Sequence, residues 1–167
     1  PGQLVSDLML CDAIDRVANA NGDQPITVYE MLTGVMFVLF SQNPADVCLV
    51  EVGLGGRLDA VNVAEADACV VTSIGLDHQA WLGNSVDDIA YEQCAIARSG
   101  RPLICGQPQP PGRARATVNA QQGVWLARGE AFDIVAGEQG YQVSFSSAGE
   151  WLSWSIPHVN VPYHNVA

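Results

Sequence analysis

Two runs of this sequence place side chains capable of chemistry at the ends of apolar, β-branched segments. The first is Glu51-Val52-Gly53-Leu54-Gly55-Gly56-Arg57-Leu58-Asp59-Ala60-Val61-Asn62, a carboxylate followed by a glycine-rich loop. Open parallel sheets bind ligands in that position, beyond the carboxyl ends of their strands. The second is Thr72-Ser73-Ile74-Gly75-Leu76-Asp77-His78, another such segment leading to an imidazole. If the two segments are neighbouring parallel strands, Glu51 and His78 converge at one edge of the sheet. A carboxylate and an imidazole there can hold Mg2+ or Mn2+ beside a nucleotide. Plainer readings stand beside this one: the glycines set a tight turn through positive φ, and the histidine is a packed or surface residue.

The elements that must position these groups are legible from periodicity. Residues 7–20 place Leu8, Cys11, Ile14, Asp15, Val17 and Ala18 at near-helical spacing, and Asn21-Gly22 supplies a stop. Thr27 and Glu30 form a T-x-x-E capping box ahead of residues 31–40, a run apolar on every face. A helix of that kind is expected to be buried, and Gly34 inside it points to close packing. Residues 47–52, 68–74 and 103–105 are continuous apolar, β-branched runs, as expected for strands covered by helices on both faces of a parallel sheet. Ser85 caps a helix reaching about Arg98, with Asp87 and Asp88 in its first turn. A short helix is expected over 113–121. The runs 124–127, 132–135, 141–145 and 151–156 read as short strands of a small antiparallel hairpin region. The expected fold is α/β: a doubly wound, mostly parallel sheet flanked by helices, with the antiparallel hairpins at the C-terminal end. One domain is expected, its α/β part spanning 1–112 and its short helix and hairpins 113–167.

Composition narrows the partners. Among 167 residues, 18 acids stand against 7 basic residues, a formal charge of −11, so phosphate backbones and anionic lipid surfaces are repelled. Neither a nucleic-acid nor a membrane partner is expected. All seven basic residues are arginine, so no Schiff base, P-loop ammonium or carbamylated lysine can form from this sequence. Five cysteines without a CxxC pair indicate free thiols rather than a disulfide framework or a zinc site. No run is long enough to cross a bilayer and Pro1 opens no recognisable signal peptide, so a cytoplasmic protein is expected.

The run EVGLGGRLDAVN, then TSIGLDH with WLG close behind, then the helix ahead of RPLICGQP, resembles the folylpolyglutamate/dihydrofolate synthase branch of the Mur ligase superfamily, in the central part of its ATP-binding domain. The resemblance is colinear over residues 25–108. It implies a transfer of the ATP γ-phosphate to a folate or pteroate carboxylate, followed by attack of the glutamate amine, with Mg and ATP as cofactors and a folate, pterin or nucleotide as ligand. By position, Glu51 resembles a metal-bridging glutamate and His78 a ligand of the second metal. Gly55, Gly56, Arg57, Asp59 and Asn62 resemble the loop that shapes the site near the pterin and phosphates.

Three departures run against turnover. The lysine-bearing phosphate loop that the family carries well before the position of Glu51 has no likeness in the first 50 residues. Gln93 stands where the family pattern has a carbamylated lysine, and a neutral amide gives a metal less charge. No counterpart of the family's C-terminal domain follows, and Val161-Pro162-Tyr163-His164-Asn165 resembles a shortened form of the family's late histidine-bearing stretch. The expected function is therefore a truncated, non-catalytic synthase-like domain. The alternatives are a part of an active ATP-dependent folate–glutamate ligase completed by other segments or another chain, and a non-catalytic pterin- or nucleotide-binding or interaction module. Apolar surface left by the shortening, around residues 31–40, leads to the expectation of a homodimer.

Overall fold

A computed structural model describes residues 4–147 and 149–159. The chain divides into two compact units, residues 1–53 and residues 54–167. The first is a pair of packed helices, α1 (Asp7–Asn21) and α2 (Val28–Gln42). Ser6 caps α1 by accepting the Met9 N–H, and Gly22 ends it by donating to the Ala18 carbonyl. The capping box of α2 is complete: the Thr27 hydroxyl accepts the Glu30 N–H at 3.2 Å and the Glu30 carboxylate accepts the Thr27 N–H at 2.7 Å. Those bonds from Thr27 favour the ionised carboxylate and hold the Glu30 pKa below its ordinary value. Gly34 packs closely, as expected, because a Cβ there would stand 3.1 Å from Val17 Cγ1.

Two expectations for this unit are corrected. Although α2 is apolar all round, only Thr33 and Val35 are buried, and Val28, Tyr29 and Leu32 are exposed. Within the unit α1 is its one helical neighbour, and a single neighbour covers a single side of a helix. The expected strand over 47–52 is not formed. No strand among the described residues pairs with it, and Leu49 is 90% exposed. A β-branched run becomes a strand only where a second backbone takes up its N–H and C=O groups.

The second unit begins with the glycine loop and a short 3-10 helix, Ala60–Val63. Then follow β1 (Cys69–Val71), α3 (Gln79–Leu82), α4 (Val86–Cys94), β2 (Pro102–Cys105), α5 (Gly112–Ala120) and β3 (Val124–Ala127). The strands form a parallel sheet in the order β1-β2-β3, with Cys69 opposite Leu103 and Leu103 opposite Trp125. Residues 124–127, expected in the antiparallel region, therefore belong to the parallel sheet. The helix α5 lies between β2 and β3, and a helical crossover is what returns a chain for parallel pairing. Ile89, Ala90 and Cys94 of α4 and Ala114 and Val118 of α5 share one core with Cys69, Val71, Leu103, Cys105 and Ala127. Both helices thus cover the same sheet face. Between Cys69 and Val71, Val70 is 58% exposed.

The remaining strands, β4 (Phe132–Gly137), β5 (Gly140–Ser147) and β6 (Glu150–Ile156), form an antiparallel sheet in chain order. Its register sets Phe132, Phe145 and Leu152 in one row and Ile134, Val143 and Trp154 in another on the same face. The intervening row is Asp133, Ser144 and Ser153. One face is therefore apolar and the other largely polar, the alternation an antiparallel sheet requires when one side meets the core. The result is the α/β fold expected from the sequence, with a parallel layer and a terminal antiparallel sheet.

Candidate functional site

The glycine loop is held against α4 by its own side chains. Gly56, at φ 155°, lies so close to the end of the helix that a Cβ would sit 2.7 Å from Ile96 Cγ2 and 2.9 Å from the Glu92 carbonyl oxygen. Any larger residue would push the loop off the helix. The next residue fastens it twice: Arg57 N–H donates to the Glu92 carbonyl at 2.9 Å, and its Nε lies 3.1 Å from each Glu92 carboxylate oxygen. The same guanidinium lies 5.5 Å from the centre of the Tyr91 ring, a cation–π distance. Its bonds with Glu92 raise the Arg57 pKa further above its already high value.

Asp59 closes the loop on itself. One carboxylate oxygen accepts the Leu54 N–H at 2.9 Å, and the other accepts the Val61 N–H at 3.0 Å, capping the 3-10 helix. Asn62 Nδ2 donates to the Arg57 carbonyl at 3.0 Å, and its Oδ1 accepts from Arg98 at 2.9 Å. The polar side chains selected from the sequence, Arg57, Asp59 and Asn62, are thus engaged in shaping the loop. Leu58, between them, is 79% exposed.

The other selected residues sit as follows. Glu51 lies in the first unit, exposed, in the unpaired stretch, so it does not end a strand as expected. His78 lies in the second unit, well past the end of β1 at Val71, and opens α3 in a left-handed conformation (φ 48°, ψ 38°). Its side chain is 58% exposed, with Nε2 3.7 Å from Asp77 Oδ2. Gln93 lies on α4 with its Oε1 enclosed and without a hydrogen-bond partner. The stretch 161–165 lies outside the described residues.

The divalent metal that the resemblance implies needs a cluster of charged oxygen ligands. Among the described residues no three His, Cys, Asp or Glu side chains come together. In the second unit, a solvated imidazole and a neutral amide carry none of the negative charge that a hard cation takes from carboxylates. These residues do not by themselves make a two-metal centre.

Sequence reasoning missed Glu92, Tyr91 and Arg98. The arginine could have been found: a basic residue just beyond a helix C-terminus commonly bonds the last carbonyls. Glu92 had no readable signal, because its partner lies 35 residues away. The cysteines are free, and Cys94, sealed in the core beside Cys105, has its pKa pushed up to about 12 by burial. It is a packing residue, since the thiolate is the nucleophilic form.

No protein-family model matches the chain. Relatives do. Over 113 residues it is 45% identical to the dihydrofolate synthase/folylpolyglutamate synthase of Escherichia coli strain K12, covering 68% of this chain and 26% of that protein. The Haemophilus influenzae enzyme of the same description is 41% identical over 91 residues, covering 54% of this chain and 21% of the relative. Among solved structures, E. coli FolC in complex with DHPP and ADP superposes with a TM-score of 0.92 at 34% identity. That superposition covers 99% of this chain and 39% of FolC. The chain is homologous to a part of the folylpolyglutamate synthase/dihydrofolate synthase family's members.

A Yersinia pestis member of that family, solved with Mn, AMPPNP and L-glutamate bound, gives a TM-score of 0.86 at 31% identity, over 98% of this chain and 39% of that one. The chain thus spans about 39% of the solved synthases it matches. Its likeness to them extends well past the glycine loop, through nearly the whole of its own length.

Proposed function

We propose that residues 54–98 form the folate-facing loop and its support in a synthase-type ligase fold, and that the 167-residue polypeptide alone does not drive ATP-dependent ligation. The observation that carries this is the fastening of the glycine loop to α4. Its aspartate and asparagine bond the loop's own backbone and its arginine ties the loop to Glu92, which suits a surface that shapes a ligand site rather than one that reacts. The absence of lysine from the polypeptide supports the second half, because no side chain here supplies a mobile ammonium to a transferring phosphoryl group. We place the protein in the cytoplasm, where its free thiols remain reduced. Among the described residues, no helix is long and apolar enough to cross a membrane.

The direct test incubates the polypeptide with Mg-ATP, dihydropteroate and glutamate and follows ADP. No release above the protein-free control is expected, and glutamate-dependent ADP release would refute the proposal. Calorimetric titration with dihydropteroate, without nucleotide, is expected to show saturable binding; a flat titration would remove the folate-facing reading.

A second reading, in which these residues work inside a larger ligase, is favoured by the near-complete superposition on FolC. Replacing the matching segment of the E. coli enzyme with this one decides between them. An active chimera supports the second reading, and a folded but inactive chimera supports the first.

A further inference from the structure

Arg98 lies beyond the end of α4 and is claimed by two backbones at once. Its Nη1 donates to the Ile96 carbonyl at 2.8 Å, on its own side. Its Nη2 reaches the Asn62 carbonyl at 2.6 Å, the Asn62 Oδ1 at 2.9 Å and the Ala64 carbonyl at 3.0 Å, at the end of the 3-10 helix of the glycine loop. Nε stands 3.1 Å from Glu65 Oε2, off the N–H direction, so that contact is an ion pair rather than a hydrogen bond. The side chain is only 16% exposed, whereas its acidic partner Glu65 is 83% exposed.

This arrangement has a physical logic. The tail of α4 and the end of the 3-10 helix each present carbonyls left without helical partners, and each is the negative end of its helix. A guanidinium is planar, carries five N–H groups in a fixed fork and keeps its charge when enclosed. One such group can satisfy two facing helix ends. A lysine ammonium, with three donors on a flexible stem, cannot span both sets of acceptors in the same way.

We propose that Arg98 is the positioning residue of the glycine loop: it sets the attitude of residues 54–64 on α4, and through them the surface that meets the ligand. The ligand part rests on the folate-facing reading above; the loop part does not. Arg98 touches no reacting atom in this scheme. Its effect reaches the site through Asn62, whose amide joins Arg98 to the Arg57 carbonyl.

The test compares Arg98→Lys with the parent chain by amide hydrogen exchange and by calorimetry with dihydropteroate. Loop amides with defined acceptors, those of Leu54, Arg57 and Val61, are expected to exchange about tenfold faster or more in the variant, the loss expected from bonds to a charged donor. The amides of β2 should keep the parent rate, and dihydropteroate affinity should fall by about tenfold or more. Loop amides within about twofold of the parent would overturn the proposal, as would loop and β2 amides accelerating together, which would mark a general loss of stability. A parent that binds no dihydropteroate defeats the folate reading alone, since exchange still decides the loop. A loosened loop with unchanged affinity overturns the ligand half. Should Arg98→Lys fail to fold, Asn62→Ala severs the link from the loop side, and the same exchange pattern is required of it.

Discussion

Leu103 and Cys105 in the parallel sheet, and Ile89 and Cys94 of the helix above it, are fully closed from solvent, whereas along one row of the antiparallel sheet exposure rises from 1% at Ile134 to 51% at Trp154. Both regions follow the same rule of burying apolar side chains on one face, but different elements carry it out. In the parallel layer each crossover delivers a helix onto the sheet it connects, so the topology supplies the cover. The hairpin connections of the other sheet supply none, and Trp154 is left resting on Phe145, with ring centroids 4.8 Å apart and planes 17° from parallel. Covering a sheet face is thus a property of the connection as much as of the strands.

Three measurements sharpen or break this contrast. The largest effect is expected from Leu103→Ala, which opens a cavity in a region with no room to collapse. A loss of about 2–5 kcal/mol is expected from urea unfolding; a loss below about 1 kcal/mol would mean that the parallel layer is not the rigid half. Trp154→Ala should cost less, about 0.5–1.5 kcal/mol for the stacked pair, because half of the ring is already hydrated. Near-ultraviolet circular dichroism should report the loss of the Phe145 contact, and a cost as large as that of Leu103→Ala would erase the distinction.

The smallest effect concerns the link between the sheets. Arg128, just past the end of β3, donates from Nε to Asp133 Oδ1 at 3.1 Å and from Nη2 to the Ile134 carbonyl at 2.9 Å. The Arg128 bond, followed by the Ile134 N–H, holds the Asp133 carboxyl below its ordinary 3.8. A depressed native pKa contributes stability that is present above 3.8 and disappears as pH falls through the native value. Acid titration of the parent should therefore show a small loss of stability below that pH, weakened by salt because the carboxylate is half exposed. Asp133→Asn should flatten that loss, and an unchanged acid limb in the variant would show the link to be idle.

Legibility of the fold followed the range of the interactions. The capping box at Thr27 and Glu30, the Ser85 cap and the strands at 103–105 and 132–156 are set by local signals and were readable. The pairing of 124–127 was not, because its short apolar run suits either kind of sheet and only its partner decides. The stretch 47–52 carries strand chemistry without a strand, since no residue within it can announce whether a neighbour will pair. At the candidate site, the glycine loop was found from its residue types. Its fastening to α4 was not, because Arg57 to Glu92 and Asn62 to Arg98 join residues 35 and 36 positions apart. The side chains read as part of a substrate and phosphate loop, Arg57, Asp59 and Asn62, also brace that loop from within, a role that spacing alone does not distinguish from binding.

The registers also carry a kinetic consequence. Gly137 pairs with Gly140 and Ser147 with Glu150, so both hairpins close through the shortest of loops, whereas Cys69 waits for Leu103 and Leu103 for Trp125. Loop closure of a few residues is fast, about microseconds for a hairpin, and distant parallel pairing is slow. The terminal sheet is therefore expected to form before the layer that shapes the loop, an order that pulsed hydrogen exchange during refolding would check. The half-exposed Trp154 of β6 would then be on display while β1 is still searching for β2, so the interval before the parallel sheet closes is the one in which aggregation is expected.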